Sequence, residues 1–193
     1  MSNERKIHWI NWEWLCEPKK KGGMGFRNIN AFNLAMLAKQ AWRLLNQQNS
    51  LFFRVYKARY FPMCSFLEAK LGSNPSYVWR SILQARDVIL IGSKWKVGSG
   101  NLVDIACHMW LPRPPCFRRD GPGPTKVREL VDVATSQWDR AKLAYWFERY
   151  TCDDILRIPL NNQHGNDVLI WKENKAQRFT VKTAYVVAQR LLI

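Results

Sequence analysis

Few side chains in this sequence are spaced for catalysis. Asp153 and Asp154, in Tyr150-Thr-Cys-Asp-Asp154, are its only adjacent aspartates. Phosphoryl-transfer chemistry with two divalent ions needs carboxylates brought together from separate strands, whereas this pair lies between helical patterns. Acids in a first helical turn, favoured by the macrodipole, are the simpler reading. Cys107-His108, Cys116, Cys152 and His164 are metal-ligand types, yet no C-x-x-C or H-x-x-x-H spacing occurs. Gly98-Ser99-Gly100 lacks the flanks of a nucleophile elbow. Gly22-Gly23-Met24-Gly25 lacks the Gly-Lys-Ser/Thr ending of a phosphate loop and reads as a tight turn with positive φ. A ribonuclease H centre would need several carboxylates, and the strand-like segments are nearly acid-free apart from Asp104. These residues predict no catalytic group, no metal and no cofactor.

The positive signal is cationic. Thirty Lys and Arg against fifteen Asp and Glu give a formal charge of +15, a balance that favours phosphate-rich partners. The excess is steepest in residues 1–60, with eleven basic and three acidic side chains. Lys19, Lys20, Lys21 and Arg27 flank the glycine loop, where backbone N–H groups can join side chains around a phosphate. Lys39 and Arg43 are four apart on one helix, and Arg54, Lys57 and Arg59 follow. Such groups grip a nucleic-acid backbone without reading its sequence. Trp9, Trp12 and Trp14 suit stacking on unpaired bases, worth about 1–3 kcal/mol per base, though a core or staple role is the simpler reading of each. Trp42, Trp79 and Trp146 sit in helical stripes and read as core.

The elements that must position these residues are mostly helices. The spacing of Leu34, Leu37, Ala38, Ala41 and Leu45 predicts a helix from about Asn30. Ser50 and Ser76 are N-caps for the next two helices, and Pro62 stops the first of them. Trp95 and Val97 alternate with Lys94 and Lys96, and Val103 and Ile105 alternate beyond Gly98-Ser99-Gly100, which predicts a β-hairpin. Five prolines and two glycines in Pro112–Pro124 predict a linker between a basic, helix-rich region, 1–111, and a small α+β region, 125–193. In the latter, Thr125 caps a short helix and Ser136 with Asp139 resembles a capping box. Val168–Trp171 and Arg178–Val181 predict a second hairpin, and Lys182–Leu192 a closing helix. The predicted fold is α+β, predominantly helical, with two short β-hairpins.

Five irregularly spaced cysteines do not make a secreted disulfide framework. No apolar run approaches a membrane span, and the first residues do not resemble a signal peptide. An intracellular setting, nuclear or cytoplasmic, follows, with neither membrane nor small-molecule partners.

Several words of the sequence recur in order in one family. They are Lys6-Ile-His-Trp-Ile-Asn-Trp12, Gly22-Gly-Met-Gly-Phe-Arg27, Asn33 through Leu45, and Ala58-Arg-Tyr-Phe-Pro62. Pro75 through Ile82, Trp110-Leu-Pro112, Ile155 through Leu160 and Phe179-Thr-Val-Lys-Thr-Ala-Tyr185 continue the series. The chain resembles the segment between the reverse-transcriptase and zinc-binding domains of plant LINE-type (non-LTR) retrotransposon polyproteins. That resemblance implies a parent RNA-directed DNA polymerase whose Tyr-x-Asp-Asp hairpin precedes residue 1 and whose zinc ligands follow Ile193. It implies a non-catalytic fragment that contacts RNA or an RNA–DNA hybrid through its first third and packs on the flanking domains. A structural connector and a degenerate remnant are the competing readings. One departure is local: the family's glycine two residues before Phe179 is Gln177 here.

Overall fold

A computed structural model of the chain describes residues 11–17, 19–132, 134–160 and 165–192. The fold is α+β and mostly helical, with two short antiparallel strand pairs. It divides into two units, one running to Ile89 and resuming at Thr180, the other comprising Leu90–Phe179. Among the described residues no helix is long and apolar enough to cross a membrane.

The first unit is built of helices. Asn11 caps the short α1 (Trp12–Cys16), accepting from the Glu13 amide at 3.2 Å, and a 3-10 turn over Lys19–Lys21 follows. α2 (Ile29–Asn46) starts where the Asn28 side chain accepts from the Ala31 amide at 3.0 Å. α3 (Leu51–Tyr60) and α4 (Tyr77–Gln84) begin at Ser50 and Ser76, whose hydroxyls accept from the amides of Phe53 and Trp79. Both caps are those predicted, and α3 ends just before Pro62. The helix expected after Ser76 is broken at Ala85, and α5 (Arg86–Gly92) carries the chain out of the unit.

The face that α2 buries is an alanine ridge. Ala31, Ala35, Ala38 and Ala41 are fully buried with Leu44, while Leu34, Leu37 and Leu45 are only half-buried. Of the predicted face, Ala38 and Ala41 are buried as expected, and the three leucines lie toward the edge of the contact. Small side chains let helix axes approach closely, and the partner is α8 (Val181–Leu192), which brings Ala184, Val187 and Ala188. The Tyr185 hydroxyl accepts from the Asn28 amide at 3.0 Å, tying α8 to the start of α2. Trp79, fully buried, stacks on Tyr60 at 4.6 Å and Phe61 at 5.7 Å, so this tryptophan is core as predicted.

The second unit takes a different course from the one its local periodicity suggests. β1 (Ser93–Lys96) does not fold back through Gly98-Ser99-Gly100 onto Val103 and Ile105. It pairs with β4 (Val168–Trp171), Ser93 opposite Trp171 and Lys96 opposite Val168. Asp167 is the reason. Its buried carboxylate accepts three backbone N–H groups, from Gly98 at 2.7 Å, Gly100 at 2.8 Å and Leu102 at 2.8 Å, and the chain wraps around it. A side chain on Gly98 would strike the Gly165 carbonyl, and Gly100 has φ +76°. Val103 and Ile105 instead face the chain at Thr125–Val127: Val127 donates to Val103 and Ile105 to Thr125.

The remaining strands, β2 (Val131–Asp132) and β3 (Gln137–Trp138), form a tight hairpin where Ser136 has φ +59°. Ser136 is therefore a turn residue, and Asp139 alone caps α6 (Arg140–Trp146), accepting from the Lys142 amide. A 3-10 turn over Val127–Leu130 replaces the helix expected after Thr125. Arg178–Val181 is no strand: Asn174 holds Arg178 by two hydrogen bonds and Val181 opens α8. Pro112–Pro124 lies within this unit, running against α6 and the start of α7 (Arg149–Leu156). Arg118 donates to the Trp146 carbonyl, Cys116 to the Thr151 hydroxyl, and Phe117 packs on Phe147. The core joins Val103, Ile105, Trp110, Val127, Leu130, Leu143, Phe147 and Ile155.

Candidate nucleic-acid interface

Of the residues that resembled catalytic or metal groups, Asp154 and His108 are engaged structurally. Asp153 and Asp154 lie in the second half of α7, not in a first turn. Asp154 is buried and receives Arg113 Nε at 2.8 Å and Arg157 Nη1 at 3.5 Å. His108 Nδ1 accepts from the Asp104 amide at 2.9 Å and its ring stacks on Trp95. Cys107 and Cys116 are exposed; Cys152 is half-buried, and its burial pushes the thiol pKa up. His164 lies outside the described residues. Among the described residues no group of three His, Cys, Asp or Glu side chains could hold a metal ion.

The cationic candidates fall into two groups. Lys19, Lys20 and Lys21 are exposed on the 3-10 turn, with Lys21 3.7 Å from Glu17. Gly22 and Gly25 have φ of +88° and +71°, the turn conformation predicted for this loop. Its amides, however, are occupied. Gly22 donates to Lys19, Met24 and Phe26 to Leu15, and Gly25 to Glu17. An anion at this loop would meet lysine ammonium groups, not those four amides, because hairpin-like closure onto α1 satisfies them internally.

The second group centres on α2 and α3. Lys39 and Arg43 are exposed on α2. Arg43 is braced by Gln40 at 3.1 Å and Gln47 at 3.2 Å, and its guanidinium lies over the Phe52 ring, which joins it to α3. On α3, Arg54 and Arg59 are exposed, Arg59 over Tyr60. Lys57 is different: half-buried, it donates to the Cys64 carbonyl at 2.7 Å and pins the segment after α3. Arg27 is exposed and lies over Phe32. Of the nine basic candidates only Lys21 has a carboxylate partner among the described residues.

Trp12 and Trp14 are 46% and 47% exposed, with Trp12 tilted against Phe26. Each therefore shows part of a ring to solvent and packs the rest. Trp9 lies outside the described residues. Local sequence reasoning did not find the basic cleft of the second unit, lined among others by Lys94, Arg157, Lys172 and Lys175. Only the alternation of Lys94 and Lys96 hinted at it, because its other cations come from distant elements.

No protein-family model matches the chain, and no solved structure matches it. The protein named "Putative ribonuclease H protein At1g65750" of Arabidopsis thaliana is 30% identical over 195 residues, covering 95% of this chain. The chain spans 31% of that protein's length. The "Uncharacterized mitochondrial protein AtMg00310", also of Arabidopsis thaliana, is 40% identical over 118 residues, which cover 58% of this chain and 77% of the relative. On that identity and coverage, the chain belongs to the family of the uncharacterized mitochondrial protein AtMg00310.

Proposed function

We propose that the chain is a non-catalytic piece of a plant LINE-type retroelement polyprotein, lying after the polymerase centre, that grips RNA or an RNA–DNA hybrid by its backbone. One observation carries the reading. Eight of the nine basic candidates in the first unit have no carboxylate partner among the described residues, and most project into solvent from α2, α3 and the Lys19–Lys21 turn. Unpaired, exposed cations on rigid helices are the arrangement that releases counterions on meeting phosphates. A relative named for ribonuclease H, matched across nearly the whole chain, supports a nucleic-acid setting. So does the run of retroelement words along the sequence. The flanking polymerase and zinc-binding domains of the same polyprotein are the protein neighbours this reading supplies.

The test is binding of the purified chain to labelled single-stranded RNA, RNA–DNA hybrid and duplex DNA across a salt series. Six or more phosphate contacts would lower affinity roughly 10³-fold or more between 50 and 200 mM salt. Reversing Lys39 and Arg43 to Glu should weaken all sequences about equally and flatten the log–log slope by about two. Unchanged affinity in that variant sinks the grip. A flat response from a chain that melts cooperatively points to a scaffold whose charge serves protein neighbours; the same response from an unfolded chain points to a remnant.

A further inference from the structure

The second unit holds a cleft of about 800 Å³ with an apolar floor and a cationic rim. Three separate segments build it. Lys94 comes from β1, Lys172 and Lys175 from the turn after β4, and Arg157 from the end of α7. The floor is Met109, Pro112 and Ile158, with the Lys172 ammonium 3.9 Å from the Met109 sulfur at the border of the two surfaces. The segments are held in register by backbone bonds: Trp95 donates to Met109 at 2.7 Å and Lys172 to Gly92 at 2.9 Å. Asn174 locks the lysine turn through Arg178.

The charges favour an anion. Two carboxylates, Asp154 and Glu173, also line the cleft. Asp154 is shared by Arg113 at 2.8 Å and Arg157 at 3.5 Å, and the Arg157 side chain is 79% exposed. Lys94 and Lys175 are exposed and have no carboxylate partner among the described residues. A ligand that satisfies both surfaces has a phosphate for the rim and a flat apolar body for the floor. We propose that this cleft takes one unstacked nucleotide of a single-stranded nucleic acid, its phosphates against Lys94, Lys172, Lys175 and Arg157 and its base over Met109, Pro112 and Ile158. A duplex keeps its bases stacked and cannot offer one to a concave pocket, so the site selects single strands. This site stands apart from the grip proposed for the first unit, and either can fail alone.

The test uses the full chain and a 5′-phosphorylated tetrauridylate carrying 4-thiouridine. Photo-crosslinking followed by peptide mapping should label the segment containing Met109 and Pro112. Lys94→Glu with Lys175→Glu should lower tetranucleotide affinity about tenfold or more at low salt and abolish that crosslink, with an unchanged melting temperature. Lys94→Arg with Lys175→Arg should retain both, and Lys39→Glu with Arg43→Glu should leave the crosslink to that segment in place. The proposal is overturned by crosslinks that avoid this segment, by full affinity in the Lys94/Lys175 reversal, or by tripolyphosphate competing as well as the tetranucleotide. The last outcome would mean that the cleft reads phosphate alone.

Discussion

Replacing Asp167 by alanine should unfasten the Gly98–Leu102 loop. The carboxylate accepts N–H groups at 2.7, 2.8 and 2.8 Å, and the one from Gly100 is buried. An orphaned buried donor costs about 1–3 kcal/mol, and those of Gly98 and Leu102, nearer to water, cost less. The total is about 2–4 kcal/mol. For a unit of this size each kcal/mol moves the melting temperature by about 4–8 °C, so a fall of roughly 8–32 °C is expected. Asp167→Asn keeps one acceptor oxygen and loses the charge, and should fall about half as far. Amide hydrogen exchange supplies the local check. The amides of Gly98, Gly100 and Leu102 should exchange at least tenfold faster in the alanine variant, while those of the α2 interior keep their protection. A melting temperature within about 3 °C of wild type, or unchanged protection at Gly100, would refute the view that this carboxylate organises the loop.

Other outcomes follow from equally specific features. Gln177 has φ +53°, where a side chain costs about 1–2 kcal/mol and glycine does not. After glycine's entropic penalty, Gln177→Gly should stabilise by about 0.5–1 kcal/mol in chemical denaturation; a loss of stability would contradict it. Ala38 is fully buried in the α2 ridge, so Ala38→Leu should cost about 1–3 kcal/mol by overpacking, read as a lower urea midpoint at constant m-value. Burial raises the Cys152 pKa, so less thiolate is present at a given pH. Iodoacetamide at pH 8 should therefore modify Cys107 and Cys116 well before Cys152, as followed by peptide mass spectrometry; equal rates would show that the Cys152 side chain is more open than its contacts imply.

What was legible in the sequence was local. Ser50 and Ser76 cap helices because a hydroxyl beside a helix start has few better partners than the free amides there, and Pro62 must stop α3 whatever surrounds it. Pairing was not legible. Alternation marks Trp95 and Val97 as strand-like but carries no information about a partner, and the partner of β1 lies some seventy residues away, beyond the carboxylate that turns the chain. The Pro112–Pro124 run reads as a linker because proline cannot join a ladder, yet an extended proline-rich segment can also pack along helices through its side chains and remaining amides, as Phe117 and Arg118 do. The basic residues of the candidate interface were visible as residue types. Which of them point outward was not: Lys57 is turned to a carbonyl, while Arg43 is fixed by two glutamines. The cleft of the second unit was invisible for the same reason as β1–β4, since its cations converge only when distant segments meet.

The first unit is closed by a helix made long after the rest of it. Between the end of α2 at Asn46 and the start of α8 at Val181 lies the entire second unit. A ribosome adding about 5–20 residues per second needs on the order of ten seconds to cover that distance. Throughout that interval the alanine ridge of α2 lacks its principal cover, although its neighbours α3 and α4 are made early in it. During synthesis the unit is thus a partly open groove waiting for twelve residues, and those residues decide when it shuts.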